Sequence, residues 1–500
     1  MNTLSNASNK PSHESLIDVS VFVSALQKIL PVGAVILSKE GQRPFECDGL
    51  TIYQQLPLVT AMPETVDQVQ AILRLSHLHG VPLVPRGAGT GLCAGAMPHA
   101  EGLLLVLTKL NQIIHINHKS CTATVQPGVR NLALTEAVAP FGLYYAPDPS
   151  SQIACTIGGN VAENSGGVHC LKYGLTVNNL LQVTMVTIEG EIMTLGGTGL
   201  DEPGMDLLSL MVGSEGLLGV VVEAKVKLLP RAPRVQVLVA AYDSVTAAGD
   251  AVAALIGQGI IPAGLEMMDH LAISAAEDFV KVGYPTDAQA LLICELDGTD
   301  AEVEEQLLLV CECFKQHGAH HIRIAKDATE AAALWQGRKA AFPAVGRISP
   351  DYYCMDGTIP KRFLADVLEK ISSLSATYDL RVANVFHAGD GNLHPLILYD
   401  AAQPGELEKA EDFGNDILKL CVDMGGSITG EHGVGIEKLD AMCHQYNSSE
   451  LEIFHQIKAV FDPNSLLNPG KAVPTLHRCA ELGNMHVHNG NLPHPELERF

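Results

Sequence analysis

Between residues 87 and 219 glycine recurs singly and in pairs, so densely that no long helix can run through the stretch. Each glycine inside a helix costs about 1 kcal/mol relative to alanine and leaves the backbone free to turn. What fits between the glycines is a series of short strands: Leu103 to Thr108, Thr122 to Gln126, Leu181 to Ile188 and Gly219 to Leu229. Upstream, Thr65 to Leu78 carries apolar residues at 66, 69, 72, 73 and 75, a helical spacing that Gly80 stops before a short strand, Val81 to Val84. Beyond Pro230 and Pro233 the texture changes. VQVLVAAY reads as a strand, Val245 to Gly257 as a helix, ALLICEL as a strand and Asp300 to His317 as a helix, which predicts a separate α+β sheet with helices on one face. The boundary falls near residue 231.

Five hundred residues, 47% hydrophobic and 18% charged, call for two or three domains with substantial cores. A formal charge of −24 excludes a nucleic-acid face and disfavours a basic patch for anionic lipid. Twelve cysteines without a CxxC pair argue against a disulfide scaffold, a zinc finger or an iron–sulfur module, and predict mostly reduced, buried thiols. The first twenty residues lack the apolar core of a secretory signal, which makes the cytoplasm the default location. No run reaches the ~18 apolar residues of a membrane helix, since Leu207 to Leu229 is broken by Glu215, Glu223 and two lysines. Membrane association is therefore expected only through a partner.

The segment Pro85-Arg86-Gly87-Ala88-Gly89-Thr90-Gly91-Leu92 follows a strand, and its glycines let backbone N–H groups converge on an anion such as a pyrophosphate. From Gly89 the letters GTGLCA fit the dinucleotide pattern G-x-G-x-x-[GA], but a nicotinamide-binding unit needs a crossover helix next. Gly95, Pro98 and Gly102 leave no room for one before the strand at Leu103. A second element, Gly158-Gly159-Asn160-Val161-Ala162-Glu163-Asn164-Ser165-Gly166-Gly167, suits a backbone pressed against a flat polar ligand. Plain turns would use the same residues. Further on, His387 and His394 flank a glycine turn after an apolar strand, and Glu431-His432 sits between Gly430 and Gly433. Two imidazoles and a carboxylate form a ligand set for zinc or manganese, although hydrogen-bonded loop residues could look the same. On the residues alone, a flavin-free metal-dependent hydrolase stays open.

PRGAGTGL paired with TIGGNVAENSGG and GSEGLLGVVVEAKVKLLP resembles the FAD-binding domain of the vanillyl-alcohol oxidase and p-cresol methylhydroxylase superfamily. FHAGDGNLH, GEHG and FDPNSLLNPGK are similar to its FAD-linked D-2-hydroxyacid dehydrogenase branch. Within that branch, YYAPDPSSQIACTIGGNVAENSGGVHCLKYGLTV and GRKAAFPAVGRISPDYYCMDGTIP resemble bacterial glycolate oxidase flavin subunits. The resemblance implies an α+β fold, a two-subdomain FAD-binding domain with an α+β substrate (cap) domain. It divides the chain into a helical segment 1–50, FAD-binding domain 51–231, cap 232–425, a return to the FAD domain at 426–471, and a tail 472–500 available for a subunit contact.

The resemblance implies that Pro85, Arg86, Gly87, Ala88, Gly89, Thr90, Gly91 and Leu92 cradle the pyrophosphate of non-covalent FAD. Gln126, Pro127, Gly128, Val129, Asp148, Ser150, Ser151, Thr156, Gly158, Gly159, Asn160 and Gly166 lie along it, with Val221 near the adenine and Asn468 returning to the flavin. His387, His394 and Glu431 hold the metal. His432 accepts the proton of the substrate hydroxyl. Arg338, three residues after Trp335, holds the substrate carboxylate, with Arg347 a second candidate. Relatives that take a longer dicarboxylate have a threonine and a lysine where this chain has Phe342 and Cys354, which favours a small monoacid, glycolate or D-lactate. The reaction implied is FAD-dependent oxidation of such an acid. A stand-alone D-lactate dehydrogenase is the nearest alternative. With no nicotinamide unit and no cysteine relay, the electron acceptor lies outside the chain. The resemblance supplies a second FAD-domain-like subunit and an iron–sulfur subunit, peripheral to the inner membrane.

Overall fold

The computed structural model describes residues 18–199, 203–475 and Cys479. Most of the segment expected to form a tail lies outside the described residues.

The helix Val66–His79 begins with a capping box, Thr65 and Gln68 each accepting the other's backbone N–H, and ends at Gly80 in the left-handed conformation (φ 64°). It buries Val69, Ile72 and Leu73 against a sheet ordered Val35–Ile36, Val59–Ala61, Leu103–Val106, Leu83–Arg86. Burying each such side chain contributes about 1.5–3 kcal/mol. Leu83–Arg86 and Leu103–Val106 run parallel, and residues 87–102 between them contain no helix. The segment expected to be helical over 1–50 holds the helix Val19–Ile29 but also the strand Val35–Ile36, which pairs antiparallel with Thr60 and Ala61. Two residues are too few for periodicity to reveal a strand.

A second, antiparallel sheet is ordered Ile113–Asn117, Thr122–Val125, Val220–Lys227, Leu180–Val186, Ile192–Gly196. Its two edge strands, Ile113–Asn117 partly exposed and Ile192–Gly196 largely so, lack the alternation that marks a half-buried strand.

The C-terminal half forms a seven-stranded antiparallel sheet, ordered His321–Ile324, Arg234–Tyr242, Ala290–Gly298, Gly264–Asp269, Val382–Phe386, Pro395–Tyr399, Asp351–Cys354. Helices cover both of its faces, where sequence predicted one. Leu238, Ala240 and Tyr242 pack with the helices Val245–Gly257 and Asp300–Gln316, while Val237, Val239 and Ala241 pack with His270–Val280 and Ala328–Val345. The uninterrupted apolar run VLVAAY is the mark of a strand buried on both faces.

The chain then returns to the first sheet. Leu83 donates to the Leu466 carbonyl (2.7 Å) and accepts from Asn468 N (2.7 Å). Cys443 and Cys479 form a disulfide beside the mostly reduced thiols that were expected, and their separation of 36 residues gives no local signal for it. Of the ten free thiols, six are buried and four partly exposed. Among the described residues no helix is long and apolar enough to cross a membrane.

Candidate functional site

A cavity of about 440 Å³ opens between the glycine loop, the 149–165 segment and the C-terminal half. Pro85 to Leu92 form one wall. Arg86, 6% exposed, turns its guanidinium back to the carbonyls of Cys47 (2.7 Å) and Ala96 (3.3 Å), which braces the loop from behind. Gly89 has φ +72°, and a Cβ there would collide with the Arg86 guanidinium. A Cβ on Gly87 would collide with Thr156 Oγ1, which caps the helix Ile157–Glu163 by accepting from Gly159 N (3.3 Å). At Gly87 and Gly89 only backbone can line this wall, and it can meet a ligand at close range. Asn160 is 1% exposed and its Nδ2 has no partner, a buried donor left for a bound group. These features fit a pyrophosphate and a flat polar ring.

Of the residues expected along the cofactor, Pro127, Ser150, Ser151, Thr156, Gly158, Gly159, Asn160 and Val221 line the cavity. Gln126, Gly128, Val129, Asp148, Gly166 and Asn468 stand behind its wall. Gln126 accepts from Gln112 N (3.0 Å), Gly128 donates to the Leu110 carbonyl (2.7 Å), and Val129 donates to the Gln126 carbonyl (3.2 Å). Asp148 holds the His169 ring (2.8 Å), whose other nitrogen meets Glu295 of the C-terminal sheet (3.0 Å). Gly166 lies against Glu431 and Cys170. Asn468 donates to the carbonyls of Gly95 (3.2 Å) and Glu215 (2.7 Å), holding the returning segment to the glycine loop.

At the opposite wall stand Lys339, Phe342, His394, Glu431 and His432. The strand Val382–Phe386 delivers His387, and the turn that follows, with Gly391 at φ +83°, brings back His394 before Pro395–Tyr399. His387 Nε2 lies 3.2 Å and His394 Nε2 3.3 Å from Glu431 Oε1, with the two rings 5.1 Å apart. His394 Nε2 is buried without a hydrogen-bond partner, so this set of converging donors fits a divalent ion. Burial opposes ionisation of Glu431, but the adjacent His387 and His394 rings hold its carboxyl well below the usual range. His432 stacks on His394 at 5.0 Å. Burial pushes its imidazole down to about 4, against the pull of Asp356, so the ring is neutral near pH 7.

Asp356 was not legible beforehand, and it organises the loop that carries Glu431 and His432. Its carboxylate is inaccessible to solvent and accepts from Thr429 Oγ1 (2.6 Å), from the backbone N–H groups of Gly430 (3.1 Å), Glu431 (3.2 Å) and His432 (2.8 Å), and from buried Lys438 (3.3 Å). Glu215 does the same for the next turn, accepting from Val434 N (2.8 Å) and Gly435 N (2.7 Å). Glu266 was missed as well. An ionisable residue inside an apolar strand, GLEMMD, was the available signal.

Arg338 lies on the helix Ala328–Val345, 3% exposed, and gives Nε (2.9 Å) and Nη2 (2.7 Å) to Glu266 Oε2. It stands behind the cavity wall, on which its neighbour Lys339 lies. Arg347 pairs with Asp278 at 3.6 Å, both largely exposed, and lies away from the cavity. Phe342 lines the cavity and Cys354 is buried.

Comparison with known proteins matches residues 57–196 to an FAD binding domain and residues 231–472 to the C-terminal domain of FAD linked oxidases. The chain is 59% identical over 97% of its length to the glycolate oxidase subunit GlcD of Escherichia coli (strain K12), 97% of which is covered. It is 39% identical to the subunit of the same name from Bacillus subtilis (strain 168), over 87% of this chain and 93% of that one. A D-lactate dehydrogenase from Anaerostipes hadrus is 32% identical over 87% of this chain and 94% of its own. Among solved structures, p-cresol methylhydroxylase with substrate bound superposes with a TM-score of 0.77 at 16% identity, covering 92% of this chain and 97% of that one. The last likeness is one of fold.

Proposed function

The chain belongs to the glycolate oxidase subunit GlcD family of FAD-linked oxidases, and from that premise we infer that it oxidises glycolate to glyoxylate at the wall formed by Phe342, His394, Glu431 and His432. The observation that carries this reading is one cavity with a glycine backbone wall at one side and a histidine–carboxylate wall at the other. A bound FAD would supply the acceptor for the hydride of the substrate α-carbon. Pro85 to Leu92 cradle its pyrophosphate, and Asn160 supplies a donor. His432, neutral and without a partner at Nδ1, takes the hydroxyl proton. His387, His394 and Glu431 would hold a divalent ion, zinc or manganese, and such an ion would polarise the substrate oxygens. Lys339 supplies positive charge at the wall. Arg338, the residue expected to hold the substrate carboxylate, is paired with Glu266 behind this wall, which leaves Lys339 as the cation lining it. Phe342 offers no counter-charge to a second carboxylate, so small monoacids are preferred.

The test is an anaerobic absorption spectrum of the purified chain. Glycolate should bleach the flavin band, and His432→Ala should stay yellow while losing that bleaching. A colourless protein, or unchanged bleaching in the variant, defeats the reading. Likeness to a D-lactate dehydrogenase favours D-lactate as a second substrate, and the ratio of kcat/KM for the two acids decides their order.

Electrons leave through a partner, for which we propose an iron–sulfur subunit and a second FAD-domain-like subunit at the inner membrane. The support is the helix-free connection after the glycine loop, which lacks the crossover helix of a nicotinamide-binding unit, together with the scatter of the free thiols. Co-purification of an iron–sulfur polypeptide would support this assignment, and full turnover by the isolated chain without an added acceptor would oppose it.

A further inference from the structure

Glu266 sits in the middle of the strand Gly264–Asp269, with no solvent exposure, and each carboxylate oxygen has its own partner. Oε1 lies 2.6 Å from His387 Nδ1, and Oε2 receives Nε and Nη2 of Arg338 at 2.9 and 2.7 Å. A strand, a helix and a strand end meet here, and the three side chains are almost wholly buried.

We propose that Glu266 is a positioning residue that decides which ring nitrogen of His387 is free to bind a metal ion, with Arg338 enforcing that choice. The proposal rests on the reading of His387, His394 and Glu431 as a metal set. A carboxylate only accepts, so His387 Nδ1 must carry the proton that faces Glu266. In a neutral ring the lone pair is then on Nε2, the nitrogen 3.2 Å from Glu431. Arg338 cannot accept a hydrogen bond under any conditions, because guanidinium carries donors alone. Glu266 can satisfy both neighbours while His387 keeps its proton on Nδ1, and a glutamine cannot.

In Glu266→Gln the amide oxygen must face Arg338, since the amide nitrogen would put donor against donor there. The amide N–H then faces His387 Nδ1, which has to accept, and the ring proton moves to Nε2, where the ion requires a lone pair. Loss of such support typically lowers metal affinity by about 10- to 100-fold. Replacing Arg338 as well releases the constraint: in Glu266→Gln/Arg338→Met the amide can turn its oxygen to His387 and restore the original tautomer. Arg338→Met alone leaves Glu266 facing His387.

The experiment uses the full-length, FAD-loaded protein, stripped of metal with a chelator and titrated with zinc or manganese against a chromophoric competitor. FAD stoichiometry and thermal melting monitor the fold of each variant. Weak binding by Glu266→Gln, recovered in the double variant and largely kept in Glu266→Asp, is the expected result. Equal binding by wild type and Glu266→Gln overturns the role of Glu266 and leaves the metal reading standing. A double variant as weak as Glu266→Gln overturns the tautomer mechanism. Failure of the wild type to bind either ion removes the metal reading and this proposal together. Should Glu266→Gln lose its fold, the comparison of Glu266→Asp with wild type decides, and loss of metal binding in this acceptor-only variant overturns the proposal.

Discussion

Replacing Asp356 by asparagine keeps the shape of the side chain and removes its charge, leaving the Lys438 ammonium buried with 0% side-chain exposure. The next carboxylate, Glu437, is 3.8 Å away. Removing one partner of a buried ion pair costs about 3–5 kcal/mol, and a domain's whole stability is about 5–15 kcal/mol. Asp356→Asn and Lys438→Met should therefore each lower stability by about 3–5 kcal/mol. The amide oxygen introduced by Asp356→Asn can still accept a loop N–H, and with the lysine gone no charge is stranded. The double variant should thus be at least about 2 kcal/mol more stable than the sum of the single effects predicts, a coupling typical of contacting buried groups. Trp335, the one tryptophan of the sequence, lies in the C-terminal half and reports urea unfolding by its fluorescence. Single costs below about 1 kcal/mol, or a double variant equal to their sum, would refute the view that this pair holds the Glu431–His432 loop.

Asp48 is raised from its ordinary value to about 6 by burial, with Leu50 N its backbone donor and Arg86 and Lys471 opposing the shift. A raised folded-state value means stability is full below about pH 4 and is lost as pH climbs through 6, by roughly 3 kcal/mol at 1.36 kcal/mol per unit. Asp48→Asn should remove that slope in melts taken from pH 4 to 8, and an unchanged slope would exclude Asp48 as its source. Gly87→Ala forces a Cβ into Thr156 Oγ1 and should cut bound FAD several-fold, read as the flavin-to-protein absorbance ratio; stoichiometric flavin in the variant would contradict the backbone-cradle reading. Arg347→Ala, which removes an exposed pair with Asp278, should change stability by less than about 1 kcal/mol and leave KM for glycolate unaltered. A raised KM would return Arg347 to the substrate site.

Local signals told most where a single element was self-sufficient. The helix starting at Thr65 was readable because its cap, its apolar stripe and its terminal glycine all fall within sixteen residues. The strand Val35–Ile36 was not, because only its pairing with Thr60 and Ala61 makes two residues a strand, and the edges Ile113–Asn117 and Ile192–Gly196 pair with the neighbouring strand in sequence without an apolar alternation of their own. The same division runs through the site. Histidines flanking glycines announce themselves, so His387, His394 and His432 stood out, and the structure sets the His394 ring between the other two. Glu266, Asp356 and Glu215 act on partners 72 to 220 positions away, and no spacing rule reaches that far. Arg338 was found as a residue, but its pairing with Glu266 depends on the register of the central sheet.

The strand that leads into the glycine loop is completed by the residues around Leu467, and Asn468 reaches a carbonyl 373 residues earlier in the chain. During synthesis at about 5–20 residues per second, roughly 20–75 s pass between the two being made. Through that interval one edge of the first sheet waits with unpaired backbone groups, an edge open to wrong pairing. The nucleotide pocket is therefore finished only once nearly the whole chain has left the ribosome, so cofactor capture comes at the end of folding. Truncation at the C-terminus, far from the glycine loop in sequence, would remove a wall of its support.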